Sequence, residues 1–224
     1  MNEARARDEI CRVGRSLFER GHVHATAGNV SVRIDDGEGG GYLITPTDAC
    51  LGFLDAARLA RVDADGRQVA GEPASKTLAL HMRIYAAARR FDAATSCVIH
   101  THAKHCVALT LASSAAELLP PITPYFVMKV GHVPVIAYHR PGASAAADAV
   151  SRAIARYGEA GTPIRAVMLE RLGPSVWHDT PSAAMATLEE LEETARLACI
   201  LRERSHPLTD AQIDELRTTF GARW

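Results

Sequence analysis

The sequence has no long apolar run, no closely spaced cysteine pair and no excess of either charge. None of its apolar runs approaches the roughly eighteen residues that a membrane helix needs. The amino-terminal stretch is charged throughout and lacks the apolar core of a signal peptide. Its five cysteines are odd in number, widely spaced and free of any CxxC pair, which disfavours a disulfide framework. These absences predict a cytoplasmic protein with reduced thiols and no membrane partner.

The balance of charge disfavours nucleic acid as a partner. Lys and Arg number 25, Asp and Glu number 26, and the formal net charge is -1, so a basic footprint for DNA or RNA is missing. The short basic clusters at 89–90 and 202–204 are typical of solvated helix faces. With 47% hydrophobic and 23% charged residues, the composition is typical of a folded globular protein. The length predicts a single domain over residues 1–224.

Hydrophobic periodicity and turn residues predict helices and strands in alternation. Helices are expected at 3–20, 76–90, 103–112, 143–157, 181–203 and 209–220, with Ser75 capping the second and Thr180 the fifth. Strands are expected at 29–34, 42–44, 96–100 and 133–138, with strand pairs over 58–72 and 166–177. This order lacks a strict strand–helix–strand rhythm. It therefore predicts an α/β fold in layers, with a central, mostly antiparallel sheet flanked by helices.

Two histidines stand two residues apart in the segment Val98-Ile99-His100-Thr101-His102. Alternate side chains of a strand share a face, so His100 and His102 would present two imidazoles side by side. Such a pair is a natural half-site for a divalent metal such as Zn²⁺. The alternative interpretation is two ordinary histidines at a strand end.

Four motifs, of which this pair is the last, occur in a characteristic order. The chain carries Gly28-Asn29-Val30-Ser31, then Ile44-Thr45-Pro46-Thr47, then Pro73-Ala74-Ser75-Lys76 leading to His81, and then the histidine pair. In this the chain resembles the class II aldolase/adducin family, and the segments 119–125 and 138–142 are most similar to its branch of 3-oxo-tetronate 4-phosphate decarboxylases and fuculose-phosphate aldolases. The resemblance implies the three-layer aldolase fold, a homotetramer, a small sugar phosphate or oxo acid as substrate, and a divalent metal, Zn²⁺ first, with Fe²⁺ or Mn²⁺ as alternatives.

The resemblance also implies roles for individual residues. By position, a phosphate would be bound by Asn29, Thr47, Ser75 and Lys76. Tyr125 would face the substrate. The metal would be bound by His100 and His102, act as a Lewis acid and stabilise the charge left when a carbon–carbon bond breaks.

Three positions depart from the family pattern. Thr77 stands where the family has its proton-carrying glutamate, four residues before His81, and a threonine hydroxyl cannot be a general acid or base near neutral pH. Leu172 stands at the third metal-binding histidine. Asp48 replaces the glycine of the phosphate-binding turn, and its charge opposes a phosphate unless Lys76 offsets it.

Two interpretations accommodate these departures. In the first, the chain is a divalent-metal-dependent lyase with a rebuilt site, performing aldol cleavage or decarboxylation. Its third ligand would be Glu170, two residues before Leu172 on an extended strand, or another histidine: His81, His105, His132 or His139. In the second, the chain is a non-catalytic homologue that keeps the aldolase fold as a structural or regulatory oligomer.

Overall fold

A computed structural model describes residues 1–201 and 206–224 of the chain. These residues form the helices α1 (Glu3–Glu19), α2 (Leu78–Ala88), α3 (Lys104–Ala112), α4 (Ser144–Glu159), α5 (Pro181–Leu201) and α6 (Asp210–Phe220). The strands are β1 (Asn29–Arg33), β2 (Tyr42–Ile44), β3 (Ala60–Val62), β4 (Gln68–Ala70), β5 (Cys97–His100), β6 (Val135–Ile136), β7 (Ala166–Leu169) and β8 (Gly173–His178). Over this part of the chain, no helix is both long enough and apolar enough to cross a bilayer.

All eight strands join in one sheet, in the order β4-β3-β2-β1-β5-β8-β7-β6. Neighbouring strands run antiparallel except for β6 and β7, which are parallel. The hairpin predicted to turn at Asp65-Gly66 is present as β3 and β4, and Gly66 adopts the positive φ of 83° that favours glycine. The predicted central, mostly antiparallel sheet is confirmed.

Helices cover both faces of this sheet, which gives the three layers expected of the fold. One face packs against α1, α3 and α5, and the other packs against α2 and α4. Side chains of β5 alternate between the two faces: Cys97 and Ile99 belong to the first core, whereas Val98 belongs to the second. By the same alternation His100 points towards α2 and α4, the face on which the candidate site is built.

Helix starts agree with the sequence in some places and differ in others. Thr180 accepts a hydrogen bond from the Ala183 N–H (3.2 Å) and Pro181 opens α5, as predicted; the predicted end of this helix at 203 and the basic cluster at 202–204 lie outside the described residues. Ser75 is not the cap of α2, which starts two residues later than expected, at Leu78. The Ser75 N–H donates to the Thr45 carbonyl (3.2 Å), and residues 76–77 form a turn before the helix in which the Leu78 N–H donates to the Ser75 carbonyl (3.0 Å).

Candidate functional site

His100 and His102 lie next to each other, although a single strand does not carry both. Strand β5 ends at His100, and His102 sits in the loop before α3, so the expectation that both project from one strand was wrong. The two rings are nonetheless 5.3 Å apart between centroids and packed edge to face. A third imidazole, that of the exposed His24, lies 6.2 Å from His102. The loop therefore delivers the imidazole pair that the strand was expected to supply.

Hydrogen bonds fix the orientation of the His100 ring. Its Nδ1–H donates to the Pro174 carbonyl (3.0 Å) and lies 3.2 Å from the Ser175 hydroxyl, which leaves the Nε2 lone pair for a ligand. Burial, followed by the neighbouring His102, lowers the pKa of His100 to about 3; burial also lowers the pKa of His102. Both rings are therefore neutral near pH 7. A neutral imidazole whose second nitrogen donates to a carbonyl is the form in which histidine binds metals.

The turn from β7 to β8 passes directly over this loop. Gly173 has a φ of 146°, and a Cβ at this position would overlap the Thr101 carbonyl oxygen. Only glycine permits the two backbones to approach so closely. Arg171 of the same turn has a φ of 63°, a conformation that glycine or asparagine adopts more easily. The turn thus keeps two residues with positive φ, Arg171 and Gly173, beside the histidines. It does so although Leu172 stands where the family pattern has its third histidine.

A cavity of 170 Å³ opens on this face, between the first turns of α2 and α4. It brings together Lys76, Thr77, His100, Glu170 and Leu172, which the sequence had placed at the site from three separate segments. His102 is not part of the cavity wall. The positions of the family's proton carrier and third histidine therefore share one cavity with His100.

The described residues bring together two candidate metal-binding imidazoles and no third ligand. Strand β7 ends at Leu169, so Glu170 lies in the turn and not on the extended strand that was expected. Its carboxylate accepts the Tyr138 N–H (2.8 Å) and lies 3.5 Å from the Arg171 guanidinium. In residues 1–201 and 206–224, no three His, Cys, Asp or Glu side chains are placed to hold a metal ion. The site fits the two-histidine half of a metal centre, but it does not fit the three-histidine centre of the family pattern.

The predicted phosphate-binding residues do not converge on one pocket. Asn29 pairs with His100 across β1 and β5, and its buried Oδ1 has no partner among the described residues. The Ser75 hydroxyl is 2.8 Å from that of Thr77, beside the cavity lined by Lys76. Thr47 lies elsewhere.

Thr47 lines a separate cleft of 260 Å³ with an acidic character. Asp48, Asp55 and Glu72 share that cleft, and the guanidinium of Arg58 is paired with Glu72. Carboxylates repel a phosphate dianion. The Thr-Pro-Thr turn therefore offers a poorer phosphate site than its position in the motif suggests.

The remaining candidate histidines, apart from His139, lie outside the cavity, although the buried Nε2 of His81 has no hydrogen-bond partner among the described residues. His81 is fully buried on α2, where its Nδ1 is 2.7 Å from the Ser31 hydroxyl. His105 donates from Nδ1 to Glu192 (2.9 Å), and His132 donates from Nδ1 to Glu117 (2.9 Å). None of these three lines the cavity.

Two other side chains bear on the site: Tyr125, which the sequence predicted to face the substrate, and Arg140, which it did not predict. Tyr125 is 62% exposed and lies outside the cavity wall. The sequence did not single out Arg140, which lines the cavity together with His139. Its signal was available: Arg140-Pro141-Gly142 stands directly before α4, where a cation and a helix amino terminus meet.

Comparisons with known proteins agree with this fold. The family described as class II aldolase and adducin N-terminal domain matches residues 8–199. The chain is 48% identical to a 3-oxo-tetronate 4-phosphate decarboxylase of Cupriavidus necator, over 99% of both chains. It is 36% identical to the enzyme of the same name from Escherichia coli, over 96% of this chain and 97% of that one.

Solved structures give the same result. The crystal structure of YgbL from Klebsiella pneumoniae, a putative aldolase/epimerase/decarboxylase, superposes with a TM-score of 0.83 at 37% identity, covering 97% of this chain and 100% of that one. The L-fuculose-1-phosphate aldolase of Thermus thermophilus superposes with a TM-score of 0.74 at 26% identity, covering 92% and 100%. The resemblance inferred from the four motifs is confirmed: the chain belongs to the class II aldolase and adducin family.

Proposed function

We propose that the chain is a carbon–carbon lyase that decarboxylates or cleaves a small phosphorylated oxo acid or sugar, using a divalent metal held by His100 and His102. The observation that carries the proposal is the neutral imidazole pair at the edge of a cavity lined by Lys76 and Thr77. The near-complete alignment with 3-oxo-tetronate 4-phosphate decarboxylases supports the same reaction class. Zn²⁺ is the first choice for two imidazoles, with Fe²⁺ or Mn²⁺ favoured if a carboxylate completes the set.

The protein's own residues supply binding and orientation. A bound divalent ion would act as a Lewis acid at the carbonyl of the substrate. Lys76 and Arg140, both at the cavity, attract an anionic substrate, and the Pro174 carbonyl holds the His100 ring in place.

Proton transfer requires a group other than the one found at the family position. The Thr77 hydroxyl cannot carry a proton near neutral pH, and the Glu170 carboxylate is turned towards the Tyr138 N–H. His139 lines the same cavity, and imidazole is the side chain that most often transfers protons in enzymes. We therefore assign His139 the role of delivering a proton to the carbon from which CO₂ departs.

A second candidate function is a non-catalytic homologue, and specific residues favour it. Thr77 and Leu172 both line the cavity, and neither can bind a metal strongly or move a proton. In this alternative the fold serves as a structural or regulatory oligomer. A homotetramer is proposed under both functions and is tested by light scattering during size-exclusion chromatography.

Turnover of 3-oxo-tetronate 4-phosphate separates the two functions. The wild-type chain, supplied with Zn²⁺, Mn²⁺ or Fe²⁺ in turn, is expected to release CO₂ from this substrate, followed by ¹³C NMR. His100→Ala and His102→Ala are expected to lose at least about a hundredfold in rate, whereas His206→Ala, a matched change at an exposed histidine, keeps the wild-type rate. No release with any of the three metals supports the non-catalytic function.

A gain-of-function variant tests whether the older geometry survives. Because Thr77 and Leu172 share one cavity with His100, the double substitution Thr77→Glu with Leu172→His is expected to tighten metal binding by at least about tenfold. Thr77→Gln with Leu172→Met is the control of matched size without new ligands. Equal metal affinity in both double variants would show that the cavity no longer supports the family's arrangement.

A further inference from the structure

Three imidazoles follow one another from the surface of the protein into its interior. His24 is exposed, His102 is half-buried, and His100 is only 3% exposed. The ring centroids of His24 and His102 are 6.2 Å apart, and those of His102 and His100 are 5.3 Å apart. His102 therefore has one exposed and one buried imidazole as neighbours.

The loop between α1 and β1 holds His24 in this place. Val23, directly before it, is buried in the core. Further along the loop, a Cβ on Gly28 would lie 2.9 Å from the His100 carbonyl oxygen, so this glycine packs directly against the end of β5. Contacts on both sides of His24 thus keep its ring beside His102.

The nitrogens of the two outer rings are uncommitted. Among the residues that the structure describes, no side chain or backbone group forms a hydrogen bond or an ion pair with the ring of His24 or of His102. The Nδ1–H of His100, by contrast, donates to the Pro174 carbonyl (3.0 Å). A ring that such a bond orients is a stronger metal ligand. The inner pair, His102 with His100, is therefore expected to bind an ion more tightly than the outer pair, His24 with His102.

The distances between the rings rank the two pairs in the same order. Two imidazoles that bind one tetrahedral Zn²⁺ have ring centroids about 5 Å apart, because each Zn–N bond is about 2.0–2.1 Å long. The inner pair already has this spacing, whereas the rings of the outer pair must approach each other by about 1 Å. Rotation of the exposed His24 side chain about its own bonds can supply this movement.

The burial of His100 makes direct entry of an ion unfavourable. A hydrated ion that went straight to this ring would shed water before it gained a protein ligand, and taking an ion out of water costs free energy. An outer imidazole pair replaces that water with nitrogen ligands one at a time. His24 and His102 are placed to do this between the solvent and His100.

We propose that His24 and His102 form an outer site at which a divalent ion binds first, before His100 replaces His24 as a ligand. The inference rests on the proposed function, since the final site is the pair of His100 and His102. In the exchange, the bond between the ion and the His24 nitrogen breaks, and a bond to Nε2 of His100 forms. A neutral imidazole has one lone pair, so the same nitrogen of His102 holds the ion throughout. No electron or proton is transferred.

An entry ligand that is absent from the final site has a distinct kinetic signature. It lowers the barrier to uptake and the barrier to release by the same amount, so both rate constants change and their ratio, the Kd, does not. A permanent third ligand would instead change the Kd, mainly through the rate of release. The two rate constants of one variant therefore distinguish these roles of His24.

Stopped-flow absorption of the full chain, freed of metal and mixed with Co²⁺, tests the inference. Co²⁺ is the probe because its visible spectrum depends on its ligands and their geometry. His24→Ala is expected to slow uptake and release alike by about tenfold, which is about 1.4 kcal/mol in the barrier, with a Kd within about twofold of wild type. His206→Ala, a matched change at another exposed histidine, leaves both rates unchanged. His24→Cys keeps a metal ligand at this position and is expected to take up Co²⁺ within about threefold of the wild-type rate.

A second variant isolates the outer site. His100→Ala removes the inner ligand and is expected to hold Co²⁺ at His24 and His102, with a Kd about tenfold to a hundredfold weaker than wild type. The double variant His100→Ala with His24→Ala is expected to lose this residual binding. The control double variant, His100→Ala with His206→Ala, keeps it.

Three outcomes would overturn the inference alone, in a wild-type chain that binds Co²⁺. The first is wild-type rates of uptake and release in His24→Ala. The second is a raised Kd with an unchanged rate of uptake in that variant, which would make His24 a permanent ligand. The third is residual binding that survives in His100→Ala with His24→Ala. A wild-type chain that binds no Co²⁺ refutes the proposed metal site and this inference together, so the two failures are distinguishable.

Discussion

Gly173 is the position where a single methyl group disturbs the site most. A Cβ there would overlap the Thr101 carbonyl oxygen and lie 3.0 Å from the His102 Cα. Thr101 is fully buried, and its N–H donates to the Pro174 carbonyl (3.2 Å). Gly173→Ala must therefore move the loop that carries His102 by about 1 Å in a tightly packed interior.

The expected loss of stability has three contributions. An alanine at a φ of 146° is strained by about 1–3 kcal/mol. Forcing the backbones apart costs about 1–3 kcal/mol, and weakening the hydrogen bond from the Thr101 N–H costs about 1 kcal/mol. The free energy of unfolding should therefore fall by about 3–7 kcal/mol, a large share of the roughly 5–15 kcal/mol typical of a folded protein.

Urea denaturation followed by circular dichroism measures this loss. Gly161→Ala is the matched control, because Gly161 also has a positive φ (84°) but has open space where its Cβ would stand. The control should lose only about 1 kcal/mol. If Gly173→Ala and Gly161→Ala differ by less than about 0.5 kcal/mol, the close approach of the two backbones does not contribute to stability and the reasoning is refuted.

Two further predictions concern carboxylates that accept hydrogen bonds from histidines. Glu192 accepts hydrogen bonds from the N–H (3.0 Å) and Nδ1–H (2.9 Å) of His105 at the start of α3; Glu192→Ala should cost about 2–4 kcal/mol in urea denaturation, and Glu192→Gln clearly less. Burial raises the pKa of Glu117, but hydrogen bonds from His132 and Tyr157 outweigh this and the net shift is downward. The stabilisation is therefore present above pH 4.5, the ordinary pKa of this carboxyl, and is lost as the pH falls through the lower folded value. The stability difference between wild type and Glu117→Gln should narrow with falling pH; a difference that widens would contradict the assignment.

The sequence predicted those parts of the fold that local patterns encode. Apolar spacing and turn residues identified the helices and most strands within a few residues. Ser75 is the instructive exception, because a cap signal was present but α2 starts only at Leu78, after a turn that the Ser75 N–H ties to the Thr45 carbonyl. Local sequence cannot show such a contact between segments thirty residues apart.

The sequence predicted which residues belong to the candidate site better than it predicted where their side chains lie. Thr77, His100 and Leu172 were placed together by motif order, and the structure brings them to one cavity. Motif spacing could not show that β7 ends before Glu170, which turns its carboxylate towards Tyr138. Nor could it show that Arg140 reaches the cavity, since that depends on how α4 packs against α2.

Metal content of the purified chain tests the central claim most directly. After incubation with excess Zn²⁺, Mn²⁺ or Fe²⁺ and removal of free ions, elemental analysis should find about one ion per chain. His102→Ala should abolish this binding, while His206→Ala should leave it intact. No retained metal in the wild-type chain, or unchanged metal in His102→Ala, would contradict a metal site at the histidine pair.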